Sequence, residues 1–321
     1  MFGCGYAALW DAASATGRAR EEYVLFDLGR ASLFEPVTSH APQFRVTMYP
    51  PEALELAHGR GTHRYLIARE VLDADVVINL PKLKTHKKAC ITGALKNMVG
   101  MNGHKSYLPH HRKGAASAGG DCYGRGGRWK ALAEDLLDRV NRAEGGRSRW
   151  WAHLAAAAAH FDRLLGGDGD VEGSWFGNDT VWRTVLDLQA ILHFGRADST
   201  LARQPQRKVL TITDAIVAGE GEGPLAPTPL PLGVLTMSVS TAAADWVHAY
   251  LMGLDPRKIP LTREAFRMSA HPIAAFPPES IEVDWEGERM APAEVARRIA
   301  RPCRPPRGWA GHCELEETDA E

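Results

Sequence analysis

Short apolar runs alternate with longer amphipathic segments along the chain, and the runs predict β-strands. Residues 76–80 are rich in β-branched side chains and are stopped by a proline, so we expect a central, buried strand there. Further apolar runs of strand length cover residues 23–28, 65–71, 208–213 and 232–239. The chain therefore carries the strands of a sizeable sheet.

Helical periodicity lies between these runs. A helix is expected over 89–99, where Gly100 follows as a terminator, and another over 241–252 behind a Ser240 or Thr241 cap. Three more helices are predicted over 129–143, 150–165 and 181–194. Strands that alternate with helices imply an α/β fold, with a mostly parallel sheet flanked by helices and ligands at the carboxyl ends of strands.

The same pattern predicts the domain organisation. Residues 1–111 form the first part of an α/β domain, with a basic segment, and residues 201–300 form its second part. Residues 112–200 are an insertion: a glycine- and arginine-rich stretch that predicts a flexible loop, followed by helices. The proline-rich and then acidic tail, residues 301–321, is expected to be disordered.

Composition narrows the class of protein. The 321 residues carry a net charge of only −1, so no global charge attracts nucleic acid or a membrane surface. Five scattered cysteines without a Cys-x-x-Cys spacing argue against a disulfide framework and against a cysteine-ligated cluster. No apolar run is long enough to cross a bilayer, and we see no leader pattern. We expect a cytoplasmic protein without a nucleic-acid or membrane partner.

The basic segment from Lys82 to Lys105 is the main candidate for a binding site. Lys82 and Lys84 alternate and should emerge on one side, next to the N-terminus of the predicted helix. Helix N-termini and lysines both attract phosphate or carboxylate groups, although an ordinary solvated basic face would look the same. The predicted anion-binding residues are Lys82, Lys84, Thr85, Lys96, Asn97 and Lys105.

Candidate acid–base groups stand near this segment. His86 and His110 could transfer protons, and Asp214 follows a predicted strand at its carboxyl end. Asp214, Glu220 and Asp245 could hold a divalent cation, although turn capping or solvation would also explain these carboxylates. The glycines at 219–223 match neither the dinucleotide fingerprint nor a phosphate-binding loop, so neither NAD nor ATP is predicted.

Several motifs carry a resemblance to a known family. Residues 75–86 read DVVINLPKLKTH, and residues 93–97 read GALKN; later come Asp214 with the turn at 221–224, and Asp245 with Gly253-Leu254-Asp255. These motifs resemble the domain-of-unknown-function 362 family in their order. The resemblance implies an α/β fold and a shared site rather than an activity. Members usually begin with a segment carrying a Lys-Pro-Asn motif, which is absent here, so we expect the chain to start inside the domain.

Three functions are compatible with these features. The favoured one is an enzyme that acts on a small phosphorylated or carboxylated metabolite, with help from a metal ion. The second is a redox or metal-centre protein, because many members of the family carry ferredoxin-like cysteine clusters; this chain has none, so its ligands would be His and Asp. The third is a non-catalytic anion-binding or partner-docking module. An enzyme requires Lys82, Lys84 and Asp214 to meet at one rim of the sheet.

Overall fold

The computed structural model describes residues 19–143 and 146–316. Its strands, in chain order, are β1 (Tyr23–Asp27), β2 (Phe44–Arg45), β3 (His58–Gly59), β4 (Thr62–Ala68), β5 (Val76–Asn79), β6 (Lys82–His86), β7 (Cys90–Thr92), β8 (His111–Arg112), β9 (Lys208–Glu220), β10 (Thr228–Leu230), β11 (Val234–Ser238), β12 (Val283–Trp285) and β13 (Glu288–Met290).

The α-helices are α1 (Pro51–Ala57), α2 (Arg69–Asp73), α3 (Ala94–Asn97), α4 (Arg128–Arg142), α5 (Gly146–Leu164), α6 (Val181–Phe194), α7 (Thr241–Leu251), α8 (Pro260–Ala265) and α9 (Pro292–Ile299). Short 3-10 helices cover Arg20–Glu22, Gly29–Ala31, Glu35–Gln43, Met98–Met101, Lys105–Tyr107, Ala116–Ala118 and Pro278–Ser280. The chain is an α/β protein, as its sequence predicts.

The chain divides into two compact units that interleave in sequence. The first unit holds residues up to 69, 102–184 and 198–200, and the second holds residues 70–101, 185–197 and everything from 201 onward. In the first unit, β4 pairs antiparallel with β1 and β3, and β2 pairs with β8. Helices α4 and α5 pack together over a small apolar cluster that includes Ala133, Leu136 and Ala158.

The long strand β9 organises the sheet of the second unit. Along one edge, β9 pairs in parallel with β5 and then with β6; along the other edge it pairs antiparallel with β11 and then β10. Strand β7 extends the sheet beyond β6 as an antiparallel hairpin partner. The thirteen residues of β9 thus pair with four other strands. Segments about 130 residues apart in sequence therefore lie side by side.

The prediction that residues 76–80 form a central, buried strand is wrong in part. Residues 76–79 do form β5, but among the described strands β5 pairs only with β9, and Val76 and Ile78 are more than half exposed. A continuous apolar run was read as burial on both faces. In the structure only the alternate positions, such as Asn79, point into the core.

The helix predicted over 89–99 is also wrong. Residues 90–92 form β7, and only Ala94–Asn97 are α-helical, so Lys82 and Lys84 lie within β6 instead of a turn. Pairing with β6 overrides the local helical pattern here. Cys90 has a left-handed φ of 66°, which a continuous helix would not allow.

The glycine-rich segment 112–128, predicted as a flexible loop, is packed around residues 121–123, while residues 116–118 and 125–128 are exposed. Cys122 and Tyr123 are buried, and backbone N–H groups of Gly120 and Cys122 donate to carbonyls within the segment. The buried Asp121 carboxylate accepts hydrogen bonds from Asp179 N and Thr180 Oγ1, at 2.9 and 2.5 Å. A single buried acid thus anchors a sequence whose composition is typical of a mobile loop.

The expectation of a disordered tail fails for residues 301–316, while 317–321 lie outside the described residues. Trp309 is 1% exposed, and its indole N–H donates to the carbonyl of Lys87 at 2.7 Å. Cys313 is also buried. Aromatic burial of this kind offsets the proline-rich, polar character on which the prediction rested.

Acid should destabilise the first unit through His58. The ring is fully buried, its Nε2–H donates to Tyr107 O at 2.9 Å, and burial lowers the pKa of His58 to about 3 from 6.5. Below pH 6.5 the unfolded chain therefore binds a proton at His58 that the folded chain does not bind. The free energy of unfolding falls as pH drops from about 6.5 toward 3, by ~1.4 kcal/mol per pH unit.

Urea denaturation at several pH values measures this loss. We expect His58→Gln to flatten the pH dependence, whereas the control His153→Gln, at an exposed position of α5, should leave it unchanged. Equal slopes in the wild type and His58→Gln would show that the buried ring is not the acid-sensitive group.

Candidate functional site

Lys82 and Asp214 form the centre of the predicted site. The two residues are register partners in the parallel pair of β6 and β9, and Lys82 Nζ lies 2.7 Å from Asp214 Oδ2. The Lys82 ammonium, with a hydrogen bond from Ile216 N, holds the pKa of Asp214 below its usual value. Both side chains are nearly half exposed, so Asp214 is an ionised acceptor at the surface.

Lys84 lies beside this pair, and its ammonium has no acidic partner among the described residues. It lies two residues further along β6, on the same face as Lys82, and is half-buried. Over residues 19–143 and 146–316 no hydrogen bond or ion pair is formed by its ammonium. Opposite it stands Gly219, where an added Cβ would come within 2.9 Å of Lys84 Cβ, so the glycine leaves room for the lysine.

Other predicted anion ligands in the second unit have structural partners. The buried hydroxyl of Thr85 donates to Gly221 O at 2.8 Å, and the Asn97 side-chain amide donates to Asn79 Oδ1 at 2.7 Å. Lys96 lies on the short helix α3 and is half-buried. Thr85 and Asn97 thus join segments of the fold rather than presenting groups to a ligand.

The histidines do not join Asp214 as predicted. His86 is buried at the end of β6, and its Nδ1 accepts from Lys88 N at 3.1 Å. His110 belongs to the first unit, where its Nδ1 lies 2.7 Å from Leu108 O, and Lys105 belongs to the first unit as well. Nearness in sequence to the basic segment was the only reason for grouping Lys105 and His110 with the lysines.

The three predicted metal ligands do not converge. Asp214 is paired with Lys82, Glu220 accepts from Arg304 N at 2.8 Å, and Asp245 is buried elsewhere. In the described part of the chain, no three His, Cys, Asp or Glu side chains are grouped so that they could hold a metal ion. Asp214, Glu220 and Asp245 therefore do not form the predicted cation site.

Asp245 has a different task in the second unit. Its fully buried carboxylate accepts from the backbone N–H groups of Ala94 (2.7 Å) and Leu95 (2.9 Å), at the start of α3. An added Cβ at Gly93 would lie 2.3 Å from Asp245 Oδ1, so only glycine allows this approach. The motif at residues 93–97 and the motif that contains Asp245 therefore meet in one structural contact.

Sequence reasoning missed His248, which extends this contact. His248 Nδ1 lies 2.9 Å from Asp245 Oδ1, and Nε2 lies 2.7 Å from Thr236 Oγ1. A carboxylate only accepts, so Nδ1 carries the proton and the Thr236 hydroxyl donates to Nε2 in the neutral ring. The three-residue spacing of Asp245 and His248 on one helix was a signal that could have found the pair.

Thr236 and His248 line a cleft of about 510 Å³ between β11, α7 and the segment 281–285. A hydroxyl, an imidazole and a carboxylate in this order resemble the arrangement of a nucleophile, its base and an orienting acid. The His248 side chain is fully buried, however, and its two hydrogen bonds tie β11 to α7. We therefore assign this chain of hydrogen bonds to the fold.

The fold and the site together define an α/β protein whose sheet carries a lysine–aspartate pair and a free lysine within a pair of parallel strands. The chain belongs to the domain-of-unknown-function family DUF362, whose sequence profile matches residues 21–250. The resemblance seen in the motifs is thereby confirmed.

A relative is the thylakoid-associated protein sll1697 of Synechocystis sp. (strain ATCC 27184 / PCC 6803 / Kazusa). The two sequences are 27% identical over 251 residues, which make up 76% of this chain and 53% of the relative. The chain thus spans about half the length of this curated relative. No solved structure matches the chain significantly. In the described residues, no helix has both the length and the apolar character needed to cross a membrane.

Replacing Asp245 should destabilise the protein strongly. In Asp245→Asn the amide keeps the shape but supplies one acceptor where three donors converge, so we expect a loss of roughly 3 kcal/mol in the free energy of unfolding. Urea denaturation measures it. The matched control is Asp284→Asn at the exposed end of β12, where Gly287 N still finds an oxygen and the change should stay within about 0.5 kcal/mol. Similar losses in both variants would contradict a special role for Asp245.

Proposed function

We propose that the chain is an enzyme that binds the phosphate or carboxylate of a small metabolite at Lys84 and Lys82, beside Asp214. One observation carries the proposal: two motifs of the family that are far apart in sequence meet at the 2.7 Å contact of Lys82 and Asp214, and Lys84 next to them has no acidic partner among the described residues. A merely solvated basic face gives no reason for this meeting.

The charges of these three side chains suit an anion. Two ammonium groups and one carboxylate leave a net charge of about +1 beside the first residues of β6. Lys82 is nearly half exposed and donates to Asp214, so its remaining N–H groups can donate to a ligand. Lys84 supplies the second, charge-assisted contact.

Asp214 is the acid–base group of the proposal. Its pKa is lowered by Lys82, so it is ionised at neutral pH; the same shift makes it a weak base, suited to accepting a proton from an acidic group of the substrate. In the second unit, His86 is buried and its Nδ1 is engaged by Lys88 N, so we assign the proton transfer to Asp214. A divalent metal ion that assists the reaction remains part of the proposal.

A second candidate function is a partner-docking module, and one observation favours it: the sheet that carries Lys82 exposes several large apolar side chains, including Ile78 and Met237.

The relative is named for its association with thylakoids, so we also propose a test of location. A cytoplasmic protein remains our prediction. Fractionation of cells into soluble and membrane material would distinguish a cytoplasmic protein from a membrane-associated one.

Anion binding is testable with single substitutions. Isothermal titration with inorganic phosphate, and then with a panel of phosphorylated and carboxylated metabolites, should show binding that weakens about tenfold or more in Lys84→Ala, which is ~1.4 kcal/mol for one charge-assisted contact. Lys208→Ala, which removes an exposed lysine at the start of β9, is the matched control and should bind normally. Equal affinities in the two variants would place the anion elsewhere.

Asp214→Asn separates binding from chemistry in the same assay. Removal of the negative charge should strengthen anion binding, since Lys82 is then released from its ion pair, while turnover of any metabolite that the panel identifies should fall by at least a hundredfold. If turnover survives, Asp214 is not the base. If the wild type binds anions of the panel but turns none of them over, the chain is an anion-binding module.

A further inference from the structure

The sheet of the second unit leaves one apolar face open. Seven large side chains on this face, each 50–81% exposed, define what we call the open face: Val76, Ile78, Leu80, Ile216, Leu235, Met237 and Val239. Large aliphatic side chains scattered singly over a surface are ordinary, but a set on adjoining strands is not.

Strand register places these residues together. Ile78 stands opposite Leu210 on β9, and Met237 stands opposite Ile212 on the other edge of the same strand. Leu210 and Ile212 are half-buried and fill the space between the exposed side chains. The alternate residues point to the other face, where Thr236 meets His248 of α7. A sheet with one face covered by a helix therefore presents a continuous apolar platform on the other.

We propose that the open face is the interface between two copies of this chain. Each aliphatic side chain offers about 80 Å² of apolar surface when fully exposed, so the observed exposures give on the order of 400 Å² per copy. Homodimer interfaces are about 65% apolar, which brings the pair of copies to a total of ~1,200 Å². This reaches the lower end of the range of stable protein interfaces. The inference goes beyond the proposed function and does not depend on it, but it uses the same face: Asp214 is the register partner of both Lys82 and Leu235, so a dimer through the open face competes with an anion at that pair.

The shape of the face suits a second copy. Two sheets pack face to face about 10 Å apart with interdigitating side chains, and a two-fold axis makes the same surface serve both partners. Lys82 and Asp214, which lie on this face beside Leu235, neutralise each other. In the described part of the chain, the two lysines of this face without an acidic partner, Lys84 and Lys208, lie toward its opposite ends. A half-exposed sheet face thereby becomes the core of a sandwich.

Charge argues against an anionic lipid surface as the occupant. Basic surfaces that bind anionic lipids carry about 4–8 clustered lysines or arginines. On this face of the sheet, the described cations without an acidic partner are Lys84 and Lys208, at opposite ends. An apolar platform with so little net positive charge matches a copy of itself better than a lipid headgroup layer.

Sedimentation equilibrium of the full chain at micromolar concentration tests the interface. We expect a dimer for the wild type. Met237→Lys and, independently, Val239→Lys should raise the dimer dissociation constant at least tenfold, because the two-fold axis brings the new charge of each copy into an apolar contact. The matched control is Leu225→Lys, a 96% exposed leucine in the turn before β10 and outside the open face, which should remain dimeric. Circular dichroism verifies that each variant is folded.

Four results would overturn the proposal. A wild-type monomer at these concentrations excludes the interface, and so does a dimer that Met237→Lys and Val239→Lys leave intact. A monomer that dimerises only after deletion of residues 1–18 would identify that segment as the occupant. A monomer that co-sediments with phosphatidylglycerol vesicles would assign the face to a lipid surface instead.

Discussion

The carboxylate of Asp245 holds the second unit together at the point where three segments meet. It accepts hydrogen bonds from Ala94 N, Leu95 N and the His248 ring, and the ring in turn meets the hydroxyl of Thr236. A buried carboxylate is costly unless such donors surround it, so α3, α7 and β11 form this contact together or not at all. Gly93 and Asp245 depend on each other, because the Asp245 carboxylate occupies the space that a side chain at position 93 would need.

Around this contact, β9 arranges the rest of the sheet. Its parallel pairing with β5 and β6 brings Lys82 beside Asp214, and the Asn79 amide, which donates to Ala94 O at 2.9 Å, joins β5 to the segment that Asp245 holds. The motifs of the family are therefore chiefly a structural network. The residues that this network leaves at the surface, Lys84 above all, are the ones that a ligand can reach.

The sequence predicted the elements whose signals are local. The strand at 23–27 and the helix at 241–251 were found because apolar periodicity and a cap agree with the tertiary structure. Residues 89–99 failed because strand pairing outweighed a helical pattern, and residues 112–128 failed because one buried acid, Asp121, supplies order that composition does not reveal.

Among the long-range contacts, too, some were predicted from the sequence and others were not. The meeting of Lys82 and Asp214 was predicted, but the expected reason was wrong: Asp214 lies in the middle of β9 rather than at a carboxyl end, and the two residues meet as register partners of β6 and β9. The chain of hydrogen bonds through His248 was not predicted, since no pattern in a single sequence says which buried donors face one another. Lys105 and His110 were assigned to the site by proximity in sequence, which the division into two units does not respect.

Native-state hydrogen exchange at the amides of Ala94 and Leu95 tests the central claim most directly. Both N–H groups begin a four-residue helix that would fray in isolation, so only the Asp245 carboxylate explains slow exchange there. The account predicts protection close to that of the core strand β9, and about a hundredfold faster exchange at these two amides in Asp245→Asn. Exchange at the rate of an exposed loop in the wild type, or protection that the substitution leaves unchanged, would contradict the claim.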